Sequence, residues 1–228
     1  MDKKLDNWKN GKPEELKFWD TWLSSKGGFW KEHGYDWTED FKTRMDPESI
    51  LQDYVANEII ARYIRFPLIL DVCAGPLTIL NKKMDGERLN IFCIDALAME
   101  YDEMLMRYEI NPLIRTLYGE AENFKMDYFF DVIHCSNGLD HSYDPIAAIV
   151  NMITHLNTNG VIILKHFIRE GARGNYGGLH QWNFFEKDGH FIISDSEGNE
   201  INVTMSMINY FRNTICRTYG KEIIVTIS

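Results

Sequence analysis

From Pro67 onward, short apolar runs alternate with amphipathic stretches. LILDV (68–72), NIFCID (90–95), DVIHCS (131–136) and GVIILKHF (160–167) are rich in Val, Ile and Leu and have strand length. Between them, AMEYDEMLMRYE and DPIAAIVNMITHL repeat apolar positions every three to four residues. Such alternation predicts a parallel sheet flanked by helices, because parallel neighbours need crossover connections. After residue 180 the rhythm changes. WNFFEKDGHFIISDSEGNEINVT reads as antiparallel strands joined at Lys-Asp-Gly and Ser-Glu-Gly-Asn turns, followed by a helix over Met205–Cys216 and a last strand, EIIVTIS. Upstream, Leu16, Trp19 and Leu23 recur at helical spacing after Pro13, and Lys26-Gly27-Gly28 ends that helix. The aromatic stretch holding Trp30, His33, Tyr35, Trp37 and Phe41 lacks clean periodicity. A second helix is expected from Asp46-Pro47-Glu48, with Ile50, Leu51, Tyr54, Val55, Ile59 and Ile60 as its stripe. The expected architecture is a three-layer α/β sandwich over 64–228, with a helical, aromatic-rich cap over 1–63 and an antiparallel C-terminal edge.

The chain has 228 residues, enough for one domain with a sizeable core. It carries 24 basic against 34 acidic side chains, a formal charge of −10, and no basic stripe, so nucleic-acid binding is not expected. No apolar run is long enough to cross a bilayer and MDKKLDNWKN has no signal-like core, so no membrane association and a cytoplasmic location are expected. Cys73, Cys93, Cys135 and Cys216 form no Cys-x-x-Cys pair and read as buried thiols in a reducing compartment; zinc is not expected. Exposed cap aromatics leave a homodimer face open.

Chemistry concentrates where the first strand ends. LILDVCAGPLT finishes a buried strand on Asp71 and continues at once with Cys73, Ala74 and Gly75. Ligands of open α/β sheets bind beyond the carboxyl ends of the strands, where the first turn meets a helix. The next strand also ends in an acid, Asp95 of IFCIDA, at the interval where such folds hold ribose hydroxyls. A dinucleotide needs three glycines for its pyrophosphate, but here only Gly75 fits and Leu77 fills the last slot. A donor-poor turn of this kind suits a nucleoside cofactor without phosphate, S-adenosylmethionine.

The ordered series DVCAGPLT, CIDA, GEAENF, IHCSNGLDHSYDP and GVIILKHF resembles the motifs of class I S-adenosylmethionine-dependent methyltransferases. That resemblance covers about residues 65–168 and implies a mostly parallel, seven-stranded Rossmann-like sheet. It departs from the family's D-x-G-x-G-x-G with Cys73 and Leu77 in the first and third glycine places. It implies cofactor contacts at Asp71, Cys73, Ala74 and Gly75, the ribose on Asp95 beside Ala96, adenine at Glu120 and Ala121, and the methionyl end near Ser136 and Asn137.

For the acceptor, methyl transfer needs alignment and, at a hydroxyl, removal of a proton. Four histidines compete: His141 after the fourth strand, His180 in GLHQWNF and His166 after the fifth as candidate bases, and His33 of the aromatic stretch, which reads as a surface or lid residue. Asp140, Asp144, His166 and Glu170 are a weaker candidate set for a divalent ion, with ordinary loop acids the favoured alternative. FWDTWL, RMDP and GLHQWNF more loosely resemble small bacterial O-methyltransferases of cell-surface sugars. That resemblance implies a nucleotide-linked sugar acceptor, with Asp140, Arg44, Gln181, Trp182, Asn183, Trp37 and Tyr35 around it and Arg44 or Arg173 near a phosphate. An amine or aromatic acceptor, a non-catalytic binding module and a nicotinamide enzyme are the alternatives, in that order.

Overall fold

The computed structural model describes residues 3–29, 31, 34–210 and 212–228, so Trp30 and His33 lie outside the described residues. Three helices come first: α1 (Lys3–Ser24), α2 (Thr38–Met45) and α3 (Asp53–Ala61). The strands follow in chain order as β1 (Leu68–Val72), a small hairpin of β2 (Lys83–Met84) and β3 (Glu87–Arg88), β4 (Asn90–Asp95) and β5 (Thr116–Tyr118). After α4 (Ala98–Arg107), which lies between β4 and β5, come β6 (Phe130–Ser136), α5 (Pro145–Thr154), β7 (Leu156–Phe167) and the short α6 (Glu170–Arg173). The C-terminal part holds β8 (Asn183–Lys187), β9 (His190–Ser194), β10 (Glu200–Asn202), α7 (Val203–Ile208), β11 (Thr214–Tyr219) and β12 (Glu222–Ile227).

Seven strands form the central sheet in the order β5-β4-β1-β6-β7-β12-β11. β4, β5, β6 and β7 run parallel to β1, whereas β12 pairs antiparallel with both β7 and β11. The chain therefore leaves β1 toward β4 and returns on its other side as β6. That reversal opens a crevice at the strand ends.

Side chains alternate across the sheet, so neighbouring residues of one strand enter opposite layers. Ile69, Ile91, Val132, Val161 and Ile163 pack with Leu51, Val55 and Ile59, which places α3 on one face. Leu70, Ile133, Ile162 and Leu164 pack with Ala148, Ile149 and Met152 of α5 and with Phe184, Phe191 and Ile193. Those last three come from β8 and β9, which with β10 form a separate three-stranded antiparallel sheet rather than an edge of the main one. α1 and α2 join α4 through Trp22, Leu23, Phe41, Leu97, Tyr101 and Met104. Burying these apolar stripes supplies most of the drive to fold, at roughly 25 cal/mol per Å².

Two expected helices are corrected. Asp46–Gln52 is not helical: Ile50 bridges Lys83, Leu51 N–H donates to the Lys83 carbonyl (2.7 Å), and the helix starts only at Asp53. The helix expected over Met205–Cys216 ends at Ile208, and Cys216 lies within β11, paired to Val225. β1, moreover, runs into no helix. Bends and the β2–β3 hairpin follow it, and α3 covers that face instead. Among the described residues, no helix is long and apolar enough to cross a membrane.

Candidate active site

A cavity of about 620 Å³ opens at the carboxyl ends of β1, β4 and β6 and is roofed by α1. Asp71 is the last acid of β1 and is 1% exposed. Its Oδ2 accepts from Thr78 Oγ1 at 2.5 Å and its Oδ1 lies 2.6 Å from His134 Nδ1. His134 Nε2 in turn lies 2.8 Å from the Tyr54 hydroxyl. A carboxylate only accepts, so His134 donates from Nδ1 and accepts the Tyr54 proton at Nε2. Burial, then the nearby Asp71 charge, pushes the Tyr54 hydroxyl pKa up, which keeps that proton in place. Asp71 is thereby fixed by neighbours on three segments, and the sequence reading had passed over His134.

Asp95 ends β4. Its Oδ2 accepts from Gly75 N–H (3.0 Å) and its Oδ1 from Leu97 N–H (2.9 Å), which ties the two strand-end turns together. Burial pushes its pKa up to about 6 against the pull of those two N–H groups, while Glu15 on α1 adds to the rise and His141 opposes it. Close approach is built into the backbone here. A Cβ on Gly75 (φ +65°) would sit 3.0 Å from the Trp19 ring of α1. Cys73 holds φ +57° without being glycine, and a Cβ on Gly138 would lie 2.3 Å from the Cys73 Cβ. Ala74, Ala96, Ala121, Ser136 and Asn137 all line the cavity, and Ser136 Oγ is buried without a hydrogen-bond partner. Glu120 does not line it: its carboxylate accepts from Tyr118, Asn123 and Tyr143, while Glu122 lines the wall instead.

The second half of the cavity belongs to histidine. Asp140 and His141 sit in a 3₁₀ turn after β6, and His180 arrives from the loop after α6. His180 Nδ1 lies 2.7 Å from Asp140 Oδ2 and 3.2 Å from His141 Nε2, and His141 Nε2 lies 3.5 Å from Asp140 Oδ2. Burial raises the Asp140 pKa, but His141 and then His180 outweigh it and hold the carboxyl at about 2. Burial lowers the His180 pKa, but the hydrogen bond to Asp140 outweighs it and leaves the ring raised. On its far side, His141 Nδ1 faces Glu15 Oε2 at 3.8 Å.

Several expected site residues lie elsewhere. His166 does not line the cavity; it packs on Phe184, both ring nitrogens lack partners, and burial pushes its pKa down to about 4. A neutral ring in the core cannot take a proton from an acceptor in the cavity. Asp144 caps α5, accepting from Ile146 and Ala147 N–H, so it is not part of an ion site with Asp140. Trp182 donates to the Ser142 carbonyl at 2.8 Å and is buried, Asn183 bonds Tyr176 and Ser194, and the Gln181 backbone N–H donates to the Asp140 carbonyl at 3.0 Å. These three brace the histidine loop from below rather than face a ligand. Tyr35 is 62% exposed, away from the cavity, and Arg173 lies outside it, paired with Glu170 of the wall. Trp37 and Arg44 do line the cavity. Arg44 is committed to Asp40 (2.9 Å) and the Leu77 carbonyl (2.7 Å), pinning α2 to the turn after β1.

Among the described residues, Glu15, Asp40, Asp71, Asp95, Glu122, Asp140, Glu170 and Glu222 line the walls against Lys12, Arg44 and Lys165. Lys165 is paired with Glu222 at 2.8 Å. The cavity therefore favours a positively charged occupant.

No protein-family model matches the chain. It is 31% identical over 128 residues to the ubiquinone biosynthesis O-methyltransferase of Rickettsia akari (strain Hartford), covering 54% of this chain and 49% of that protein. The corresponding Rickettsia prowazekii (strain Madrid E) protein is 28% identical over 117 residues, 50% of this chain and 46% of that one. The chain thus spans about half the length of the curated relatives it matches. Among solved structures, SAM-bound CalS10, an amino pentose methyltransferase from Micromonospora echinaspora, aligns with 76% of this chain and 88% of its own at 15% identity and a TM-score of 0.50. Sheet order, the reversal at β1, the acid at the end of each of the first two parallel strands and this likeness agree: the chain has the fold of the class I S-adenosylmethionine-dependent methyltransferases.

Proposed function

We propose that this protein transfers the methyl group of S-adenosylmethionine to a hydroxyl oxygen of a small acceptor. The observation that carries the reading is that one cavity holds both halves of the chemistry. Asp71, Asp95 and the Gly75 turn line it together with Asp140, His141 and His180. The residues fit the cofactor: an acid-rich wall suits its sulfonium and ammonium charges, and the unpartnered Ser136 Oγ stands where its methionyl end would lie. When bound, the cofactor supplies an activated methyl carbon. Asp95 accepts from the ribose hydroxyls, and Asp71, held by His134 and Thr78, faces the ammonium. α1 excludes water above them, with Trp19 over the Gly75 turn. Beside them, the Asp140, His141 and His180 cluster faces the acceptor hydroxyl and promotes loss of its proton.

The names of the curated relatives, O-methyltransferases, support oxygen as the acceptor atom. Trp8, Phe18, Trp37 and Phe167 offer flat walls for a ring, sugar or aromatic. A nucleotide-linked sugar for surface polysaccharide is the acceptor expected from the sequence. With Arg44 and Lys165 already paired, the acid excess argues that its ring, not its diphosphate, enters this cavity.

Calorimetric titration with S-adenosylmethionine and its demethylated product tests the reading. Micromolar binding is expected, weakened at least about tenfold in Asp95→Ala because two ribose hydrogen bonds are lost. A folded protein that binds neither compound, or that prefers NADH, overturns it. Mass spectrometry of candidate acceptors for a gained methyl group then ranks hydroxylated rings.

A further inference from the structure

We propose that Asp140, His141 and His180 bind a divalent cation of the zinc, cobalt and iron(II) class, with its open coordination positions facing the acceptor. Its role rests on the methyl-transfer reading; its binding does not.

Three donor atoms converge: Asp140 Oδ2, His141 Nε2 and His180 Nδ1 lie 2.7, 3.2 and 3.5 Å apart. A first-row cation holds its ligands at roughly 2.0–2.1 Å, which sets neighbouring ligand atoms about 3.0–3.4 Å from one another. The observed triangle brackets that edge length. Hydrogen bonding fills only part of the cluster: with the His180 Nδ1–H and a His141 Nε2–H both directed at Asp140 Oδ2, the second contact is a long 3.5 Å and the two ring nitrogens still stand 3.2 Å apart. One ion at the centre satisfies all three atoms at once.

The surroundings agree with an ion there. The outer nitrogen of His141 faces a carboxylate, Glu15 on α1, at 3.8 Å, on the side from which metal-binding imidazoles are commonly oriented. With Asp40, Glu170 and Glu222 paired to Arg44, Arg173 and Lys165, the acids Glu15, Asp71, Asp95, Glu122 and Asp140 line the cavity against Lys12 among the described residues, so even a cationic cofactor leaves negative charge to be met. Gly174 makes room for the cluster: a Cβ there would sit 3.0 Å from the His180 ring. Two imidazoles with one carboxylate select a borderline cation over magnesium or calcium, which take oxygen ligands.

Within methyl transfer the ion acts on the acceptor. A hydroxyl oxygen on an open position loses its proton more readily, and the proton passes to solvent. That oxygen's electron pair then forms the new carbon–oxygen bond while the carbon–sulfur bond breaks with its pair going to sulfur. This arrangement gives the histidines a different part from direct proton uptake.

The test uses the full chain, stripped with chelator and titrated with Co²⁺ alone, read by calorimetry and visible absorption. One ion per chain is expected, with absorption bands of low-symmetry cobalt. His180→Ala and His141→Gln should each lower the affinity by at least about tenfold. S-adenosylmethionine titration and thermal melting of the same variants report whether they remain folded. No stoichiometric Co²⁺ on folded wild-type protein overturns the site, as does binding that neither substitution weakens. Co²⁺ bound by a chain that ignores S-adenosylmethionine keeps the ion site and overturns the methyl-transfer reading. The reverse result keeps methyl transfer and overturns the ion site.

Discussion

Cys73 sits at φ +57°, a left-handed conformation that costs a side chain about 1–2 kcal/mol, where the family pattern has glycine. Its neighbour across the crevice, Gly138, is what allows it: a Cβ there would overlap the Cys73 Cβ. Gly138→Ala is therefore expected to destabilise by about 2 kcal/mol or more, with most of the loss recovered in a Cys73→Gly/Gly138→Ala double variant, measured by urea unfolding. Asp95 carries a pH signature. Its raised pKa means that the folded, ligand-free protein prefers the protonated carboxyl, so its contribution to stability is full below the unfolded value near 3.8 and is lost as pH rises through about 6. Cofactor binding has the opposite sign, because the ribose hydroxyls donate to the ionised form. Affinity should fall by up to about tenfold per unit below pH 6 and level off above it, and Asp95→Asn should flatten the profile in calorimetry. Glu15 and His141 are the charged groups that shift that midpoint. Asp71 and Asp95 were legible because each acid ends an apolar strand. His134 was not: its partner Asp71 is 63 positions away, and only the pairing of β1 with β6 brings them together.

The departures in the turn after β1 make sense at the level of elements. In the dinucleotide pattern, the third glycine lets a helix pack tightly on its strand. Here no helix follows β1, and Leu77 is buried among Trp22, Phe41 and Leu97 instead. Leu77→Ala should thus cost about 2–5 kcal/mol in thermal unfolding by opening a hole between α1, α2 and α4, with cofactor affinity little changed. Were Leu77 blocking the cofactor, the same substitution would tighten binding. Four of the parallel strands, β1, β4, β6 and β7, were readable as apolar runs, and the Asp-Gly turn between β8 and β9 from its dipeptide, whereas the three residues of β5 are too few to make a run. Two helices were misread for one reason. Ile50 and Cys216 each lie in runs with helical spacing, but the edges of the β2–β3 hairpin and of β12 offered backbone partners that outweighed local preference. α2 was missed because its eight residues bury only Phe41, too little to make a stripe.

Across the whole molecule, the cavity's charge was only partly visible. The −10 total gave the sign, but folding is what gathers eight acids from segments as distant as α1 and β12 around one space. The convergence of Asp140, His141 and His180 was likewise hidden, since it depends on the 174–180 loop returning to the end of β6. α1 ties that loop to the rest. Gly11 meets Gly178 so closely that a Cβ would lie 2.5 Å from its carbonyl oxygen, while Glu15 faces His141 and Trp19 covers Gly75. One helix thus contacts both the turn after β1 and the histidine loop. On the methyl-transfer reading, an occupant that seats α1 more firmly at one of them changes the free energy of filling the other, and by thermodynamic necessity the two effects are equal: whatever factor the cofactor lends to the affinity of the acceptor, the acceptor returns to the cofactor.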